Sequence, residues 1–214
     1  MTTAGVTRTY KIYRMNQQKG YLAHQGCISV STSILASGFG QNHSPADVHN
    51  GSASSPYSEK YALEQMGYKM TDKLVKPYYG LAGISVRLSA QILSDMGIPA
   101  TPVYKFTVSS AEADIRQHLQ TGNPVLIKCY RHKYQGRLIT TSHHALLLLG
   151  LDKDGYPIVL DPAHGWINRA STSGNSLHYS LRTLIKEFMQ SPTGNTNQPY
   201  VTNLNMAGGY IKVG

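Results

Sequence analysis

The sequence contains little cysteine and little charge, and it has no long apolar run. Its two cysteines, Cys27 and Cys129, allow at most one disulfide, which excludes a disulfide-stapled framework. Charged residues make up 14% of the 214 residues, which argues against disorder, and the length suits a single domain with a sizeable core. The longest apolar run, ALLLLGL, has the length of a strand, whereas a bilayer span needs ~20 residues.

The opening stretch MTTAGVTRTYKIYRMNQQ is polar throughout and contains no apolar segment typical of a secretory signal. We therefore expect a soluble chain without a signal peptide. The cellular location stays open, because the sequence also suits a domain of a larger protein that is exported or associated with a virion.

Basic residues outnumber acidic ones by 20 to 11, so the net charge is +9. Such a balance favours contact with anionic partners such as a wall polymer, a membrane surface or nucleic acid. The densest basic cluster, Lys128–Arg137, interleaves lysine and arginine with tyrosine, but it also suits a hairpin between two apolar strands. No stacking motif or recognition helix stands out, which disfavours a nucleic-acid binder. The many tyrosines suit polar contacts with a peptide or a saccharide.

Helical patterns dominate the first hundred residues. CISVSTSILAS predicts a helix from Cys27 to about Ser37, and two glycines follow it. Further helices are predicted at Ser44–Pro45 and Ser55–Pro56, where a serine cap precedes proline, and over residues 84–97.

Strand patterns dominate the second half. A tight hairpin turn is predicted at DKDG, and strands are predicted at ATPVYKFTV, NPVLIKCY, HHALLLLGL, YPIVLDP and AGGYIKV. Two helices are expected among them, one capped by Ser109 or Ser110 and one beginning near Leu181. The sequence therefore predicts an α+β fold of one domain, residues 1–214, with a helical part at about 20–100 packed on an antiparallel sheet at about 101–214.

Cys27 stands at the predicted start of a helix, where backbone N–H groups and the helix dipole favour the thiolate form of a cysteine. A thiolate nucleophile needs a base and a group that orients the base. His144 begins an apolar strand, and Asp161 ends the strand after the hairpin turn. A turn at Lys153–Asp154 places His144 opposite about residue 163, so His144 and Asp161 should be neighbours.

Two other histidines compete with His144. His143 is adjacent to it, and adjacent strand residues point to opposite faces, so only one of the two shares the side of Asp161. His164 lies in a predicted loop. Cys129 lies in the middle of a strand and is expected to be structural.

The ordered set GCISVS, NPVLIKCY, HHALLLLG and GYPIVLDPA resembles the papain-fold cysteine peptidases related to the bacteriocin-leader-processing (double-glycine) peptidases. The resemblance implies a papain-like fold, Cys27 as nucleophile, His144 as base and Asp161 as the orienting residue. It also implies an oxyanion-hole glutamine upstream of the cysteine. Gln17 and Gln18 fit the spacing and stay open as alternatives, whereas Gln25 is too close to Cys27. GCISVS lacks the Gly-Pro that many relatives carry after the cysteine.

We therefore expect a thiol hydrolase that cleaves a peptide or isopeptide amide bond and uses no cofactor. Its substrate stays open among a peptide, a protein and a cell-wall peptide, and an effector or a catalytically silent binding module with a basic surface is the alternative. A zinc site is the main alternative role for the same side chains. The residue types that bind zinc are present at Cys27, His143, His144, Asp161 and His164, but the zinc-binding motifs C-x-x-C and H-E-x-x-H are lacking. DKDG is not followed by the carboxylates of a calcium loop. We predict no metal.

Overall fold

The computed structural model describes residues 5–52, 57–65, 67, 86–104, 106–129, 132–134, 137–140, 144–167, 180–189 and 209–214. The helices are α1 (Tyr21–Gln25), α2 (Cys27–Ser37), α3 (Pro45–Asn50), α4 (Glu59–Gln65), α5 (Val86–Asp95), α6 (Val108–Gln120) and α7 (Leu181–Phe188), and a 3-10 turn spans Met15–Gln17. The strands are β1 (Ala100–Val103), β2 (Val125–Cys129), β3 (His132–Tyr134), β4 (Arg137–Thr140), β5 (His144–Leu151), β6 (Pro157–Asp161), β7 (Gly165–Ile167) and β8 (Tyr210–Val213).

Six strands form an antiparallel sheet in the order β1-β8-β2-β5-β6-β7, and β3 and β4 form a separate hairpin. The β5–β6 hairpin has the predicted register, with Leu147 opposite Leu160 and Leu148 opposite Val159. Next to the turn the register differs by one residue, with Gly150 opposite Ile158, and a bulge between Leu148 and Gly150 separates the two registers. The predicted α+β architecture is confirmed.

The sheet separates two apolar cores. On one face, Leu126, Ala145 and Leu147 pack with residues of α2 and α5. On the other face, Val125, Ile127 and Cys129 pack with α6 and α7. Side chains of one strand thus alternate between the two cores, as the period of two requires.

Helix α2 lies in the centre of the first core, and every residue from Cys27 to Ala36 is buried. The hydroxyls of Thr32 and Ser89 form a hydrogen bond of 2.7 Å, and Ser29 donates to Glu59 at 2.6 Å. The buried hydroxyls of Ser31 and Ser33 have no hydrogen-bond partner within the part of the chain that the structure describes. Because water cannot reach this helix, its position relative to the sheet is fixed by packing on all sides.

The lead-in segment before α1 is attached to the sheet at two points. A Cβ atom on Gly150 would collide with the carbonyl oxygen of Gly5, so the apolar strand β5 must carry a glycine there. Farther along, the Met15 N–H donates to the Pro162 carbonyl at 2.9 Å. The lead-in therefore delivers residues 15–18 to the turn that follows Asp161.

Several predicted boundaries are wrong, although the elements exist. Helix α6 begins at Val108 with Thr107 as its cap, and Ser110 completes the capping box instead of opening the helix. Helix α4 begins at Glu59, where the Ser58 hydroxyl accepts from the Tyr61 N–H. The predicted start at Ser55–Pro56 lies outside the described residues. Each error replaces one plausible cap by another a few residues away, which local sequence does not distinguish.

Among the residues that the structure describes, no helix combines the length and the apolar character needed to cross a membrane.

Candidate active site

Cys27 is the first residue of α2 and is 7% exposed. Gly26 precedes it and is the single residue between α1 and α2, where it caps both helices. A Cβ atom on Gly26 would lie 2.6 Å from both the Cα and the carbonyl oxygen of Leu22, so only glycine allows the two helices to meet this closely. The thiol is thereby held at the N terminus of a buried helix, as the sequence predicts.

His144 and Asp161 are joined by a hydrogen bond of 2.9 Å between Nε2 and Oδ1. His144 is the first residue of β5, and Asp161 is the last residue of β6. The hairpin register places them diagonally across the ladder, so their side chains share one side of the sheet. The prediction that local geometry builds a His–Asp pair is confirmed.

The Asp161 carboxylate also organises the turn after β6. Its Oδ1 accepts the N–H of Ala163 at 2.7 Å and that of His164 at 3.2 Å. Asp161 is fully buried. A buried carboxylate held by backbone donors and by a histidine is fixed in direction, so it in turn fixes the ring of His144.

The His144 imidazole and the Cys27 thiol are close enough to interact electrostatically. Because Nε2 of His144 is bound to Asp161, the other ring nitrogen, Nδ1, is the one available to the thiol. Burial lowers the pKa of His144, but the hydrogen bonds to Asp161 and Cys27 and the negative charges of both outweigh burial and raise this pKa to about 10. The arrangement favours an imidazolium beside the sulfur.

The two candidate oxyanion glutamines lie beside the turn after Asp161. Gln17 ends the 3-10 turn and is exposed, whereas Gln18 is partly buried and its Nε2 donates to the Arg14 carbonyl at 3.2 Å. Gln25 lies in α1, immediately before Gly26. The bond between Met15 and Pro162 brings the segment that holds Gln17 and Gln18 to the turn that follows Asp161.

The other histidine and cysteine residues considered as candidates differ in position and contacts. His164 is exposed and meets Asp161 through its backbone N–H. His143 lies outside the described residues. Cys129 is a free thiol, as is Cys27, and it lies directly opposite His144 on the neighbouring strand. Burial raises the pKa of Cys129 well above its usual value, and the nearby charges of Asp161 and Cys27 add to this effect.

The sequence analysis does not identify two charged residues that are buried in the structure, Lys128 and Glu59. Lys128 is buried in β2, and its signal is a lysine inside the apolar run PVLIKC. Glu59 is also buried and joins Ser29 of α2, through a 2.6 Å hydrogen bond, to Nδ1 of His49 at 2.9 Å. Burial raises the pKa of Glu59, and hydrogen bonds and charge from His49 and Ser29 oppose this. No local pattern reveals this second contact, because its members come from three helices.

The described part of the chain holds no group of three or more His, Cys, Asp or Glu side chains arranged as a metal site. The predicted zinc alternative therefore gains no support from the geometry around Cys27.

A family comparison assigns the class to which this fold and site belong. The Peptidase_C39 like family matches residues 9–183, a range that includes Cys27, His144 and Asp161. The molecule is a cysteine peptidase, as predicted from the sequence. The chain belongs to the Peptidase_C39-like family.

Solved structures that the fold resembles have low sequence identity to the chain. The peptidase domain of Streptococcus ComA, a bifunctional ABC transporter involved in a quorum-sensing pathway, is 13% identical with a TM-score of 0.47, covering 96% of this chain and 98% of that one. A C39-like peptidase from Bacillus anthracis is 12% identical with a TM-score of 0.47, covering 100% and 98%. UfSP from C. elegans is 14% identical with a TM-score of 0.45, covering 98% of this chain and 33% of that one. No curated protein matches the sequence at a significant level.

Proposed function

We propose that the peptidase cleaves an amide bond through Cys27, His144 and Asp161. The observation that carries the proposal is the 2.9 Å hydrogen bond between His144 and the buried carboxylate of Asp161, together with the electrostatic interaction between His144 and the Cys27 thiol at the start of α2. Cys27 attacks the carbonyl carbon as a thiolate. His144, protonated in the resting pair, gives its proton to the leaving amine.

Asp161 holds the imidazole in one orientation and stabilises the imidazolium. In the second half of the reaction, His144 takes a proton from water, and the resulting hydroxide releases the acyl group from the sulfur. The same residue, His144, thus acts as the acid and as the base. One ring nitrogen exchanges the proton while the other stays hydrogen-bonded to Asp161 throughout the reaction.

The negative oxygen of the tetrahedral intermediate needs donors. The backbone N–H of Cys27 is one, since the first N–H groups of a helix have no partner within the helix. A glutamine amide is the second, and Gln18 is favoured over Gln17 because its side chain is partly buried and already directed by a hydrogen bond.

The substrate is a peptide or protein, with an isopeptide as a further form of the same bond. A cell-wall peptide of bacterial peptidoglycan is the second candidate, and the net charge of +9 favours it because that charge attracts an anionic wall polymer.

Substitution of the proposed nucleophile and base tests the reaction. Cys27→Ser and His144→Ala should each lower turnover on the order of 10³-fold or more. Cys129→Ser is the matched control, since it removes the other thiol, and it should retain most activity in a folded protein. Full activity in folded Cys27→Ser would refute the proposal.

Digestion of a peptide library and of purified peptidoglycan, followed by mass spectrometry, distinguishes the two substrate classes. Cleaved library peptides with intact muropeptides would support a protein substrate, and the converse would support the wall. Cleavage of neither, while iodoacetamide still labels Cys27 rapidly, would contradict both substrate proposals.

A further inference from the structure

The guanidinium group of Arg14 lies against the backbone of Gly165, the first residue of β7. A Cβ atom built on Gly165 would lie 3.1 Å from Nη2, 3.3 Å from Cζ and 3.5 Å from Nη1 of Arg14. Because these three distances are similar, the flat face of the guanidinium covers the glycine. A side chain at position 165 would therefore displace Arg14.

This contact places the guanidinium close to Asp161, the carboxylate that binds the imidazole of the proposed base. Gly165 is directly opposite Asp161 in the ladder of β6 and β7, and residues opposite each other on antiparallel strands have Cα atoms about 5 Å apart. The next residue of the lead-in, Met15, donates its N–H to the carbonyl of Pro162 at 2.9 Å, in the turn between the two strands. Two separate contacts thus hold residues 14 and 15 at this turn.

The backbone of Arg14 also contacts both glutamines considered for the oxyanion hole. Its carbonyl accepts the N–H of Gln17 at 3.1 Å and Nε2 of Gln18 at 3.2 Å. Arg14 therefore joins the turn after the orienting carboxylate to the segment that supplies the oxyanion donor. Under the proposed function, a scissile carbonyl bound by that segment has the Arg14 guanidinium as a near neighbour.

The guanidinium lacks a negative partner within the part of the chain that the structure describes, where it forms no ion pair and no hydrogen bond. Lys212, in contrast, pairs with Asp114 at 2.9 Å. The lead-in supplies no carboxylate, because the first acidic residue of the sequence is Asp47. The Asp161 carboxylate is engaged by the imidazole and by the backbone of its own turn.

A half-buried guanidinium in this position suits a carboxylate that comes from outside the molecule. The N–H groups of arginine lie in the plane of the guanidinium and point outward from its edge, so packing of one face on Gly165 leaves them available. An arginine and a carboxylate form two parallel hydrogen bonds in that plane.

We propose that Arg14 is a specificity residue of the peptidase, which binds the carboxylate of an aspartate or glutamate beside the scissile bond of its substrate. The inference rests on the proposed function and deepens it, because it names acidic peptides or acidic protein segments as the substrate class. Arg14 contacts the substrate and takes no part in the proton transfers.

The first test uses two alkylating probes of similar size, iodoacetate, which carries a carboxylate, and neutral iodoacetamide. The ratio of their rate constants with Cys27 is measured at low ionic strength in the wild type and in Arg14→Met, which removes the charge and keeps the side-chain length. We expect the ratio of iodoacetate to iodoacetamide to fall about two- to fivefold, as for the loss of a partly exposed charge pair. The iodoacetamide rate should be unchanged, whereas a packing defect would change both rates together.

Lys153→Met is the matched control, because it removes a charge of the same sign at the far end of the β5–β6 hairpin, where Lys153 pairs with Asp154 at 2.9 Å. It should leave the ratio unchanged, and Arg14→Lys, which keeps the charge, should retain most of the ratio. An unchanged ratio in folded Arg14→Met would overturn the inference, as would an equal fall in Lys153→Met. If Arg14→Met does not fold, Arg14→Gln gives the same comparison with a polar side chain.

The second test uses peptide substrates. Cleavage sites in a digested peptide library should be enriched in aspartate or glutamate beside the scissile bond. In one such peptide, replacement of the glutamate by glutamine should lower kcat/KM about tenfold in the wild type and have little effect in Arg14→Met. Cleavage sites without this enrichment, an equal effect in both proteins, or cleavage of muropeptides alone would contradict the inference.

The alkylation ratio does not depend on turnover, so its failure is distinct from failure of the proposed function, which full activity of folded Cys27→Ser would reveal.

Discussion

Asp161→Asn separates the two tasks of this carboxylate, which accepts backbone N–H groups in its turn and also binds His144. The asparagine Oδ1 can still accept from Ala163 and His164, so the turn should persist. The variant loses the negative charge that offsets the cost of burying the imidazolium. We expect the folded protein to hold a less basic His144.

The size of the effect follows from the electrostatics of the pair. Removing an opposite charge at hydrogen-bond distance lowers a pKa by about 1–3 units, which is about 1.4–4 kcal/mol. The thiolate–imidazolium pair loses stability relative to the neutral pair by that amount. Since the thiolate is also stabilised by the start of its helix, we expect turnover to fall roughly 10- to 100-fold, less than in a serine enzyme.

The assay is the rate of Cys27 alkylation at pH 6, measured with the melting temperature on the same preparation. Asp152→Asn is the matched control, because Asp152 accepts the N–H groups of Asp154 and Tyr156 at the opposite end of the hairpin and has no histidine partner there in the described contacts. Asp152→Asn should leave alkylation unchanged. Wild-type alkylation in a well-folded Asp161→Asn protein would remove Asp161 from the mechanism.

Two further predictions concern the nucleophile helix and pH. Gly26→Ala should lower both stability and Cys27 reactivity, because the added methyl meets the backbone of Leu22; circular dichroism and alkylation check this, and an unchanged melting temperature would show that the helices separate without cost. The pKa of His144 is higher in the folded than in the unfolded protein. Protonation of His144 should therefore stabilise the folded state fully below about pH 6.5, and this stabilisation should be lost as the pH rises towards 10. Urea unfolding should show a fall of up to about 4 kcal/mol across that range, absent in His144→Gln.

The structural features that the sequence predicts best are those that depend on residues close together in the chain. The cysteine-opening helix and the β5–β6 register depend on a few adjacent residues and a short turn, and both are confirmed. The capping errors at α4 and α6 arise because several serines and threonines near each start are equally able to cap. The assignment of residues 1–214 to one domain stays a prediction.

The features that could not be predicted from the sequence are contacts between residues that lie far apart in the chain. Nothing local indicates that Ser29, His49 and Glu59 meet, or that β8 lies between β1 and β2. Lys128 is visible in the sequence as a charge within an apolar strand, but the structure is needed to show that it is buried.

The place of β8 between β1 and β2 has a consequence for biosynthesis. Residues 210–213 complete the sheet by pairing with strands that lie far earlier in the chain. Pairings of such high contact order form slowly, and here they await the synthesis of residue 213. While the chain is still growing, β1 and β2 lack their shared neighbour β8, and the Lys128 N–H, which donates to the Gly209 carbonyl, has no partner on that side of β2. We expect a nascent chain that already carries Cys27, His144 and Asp161 to remain inactive until residues 210–213 have paired with β1 and β2.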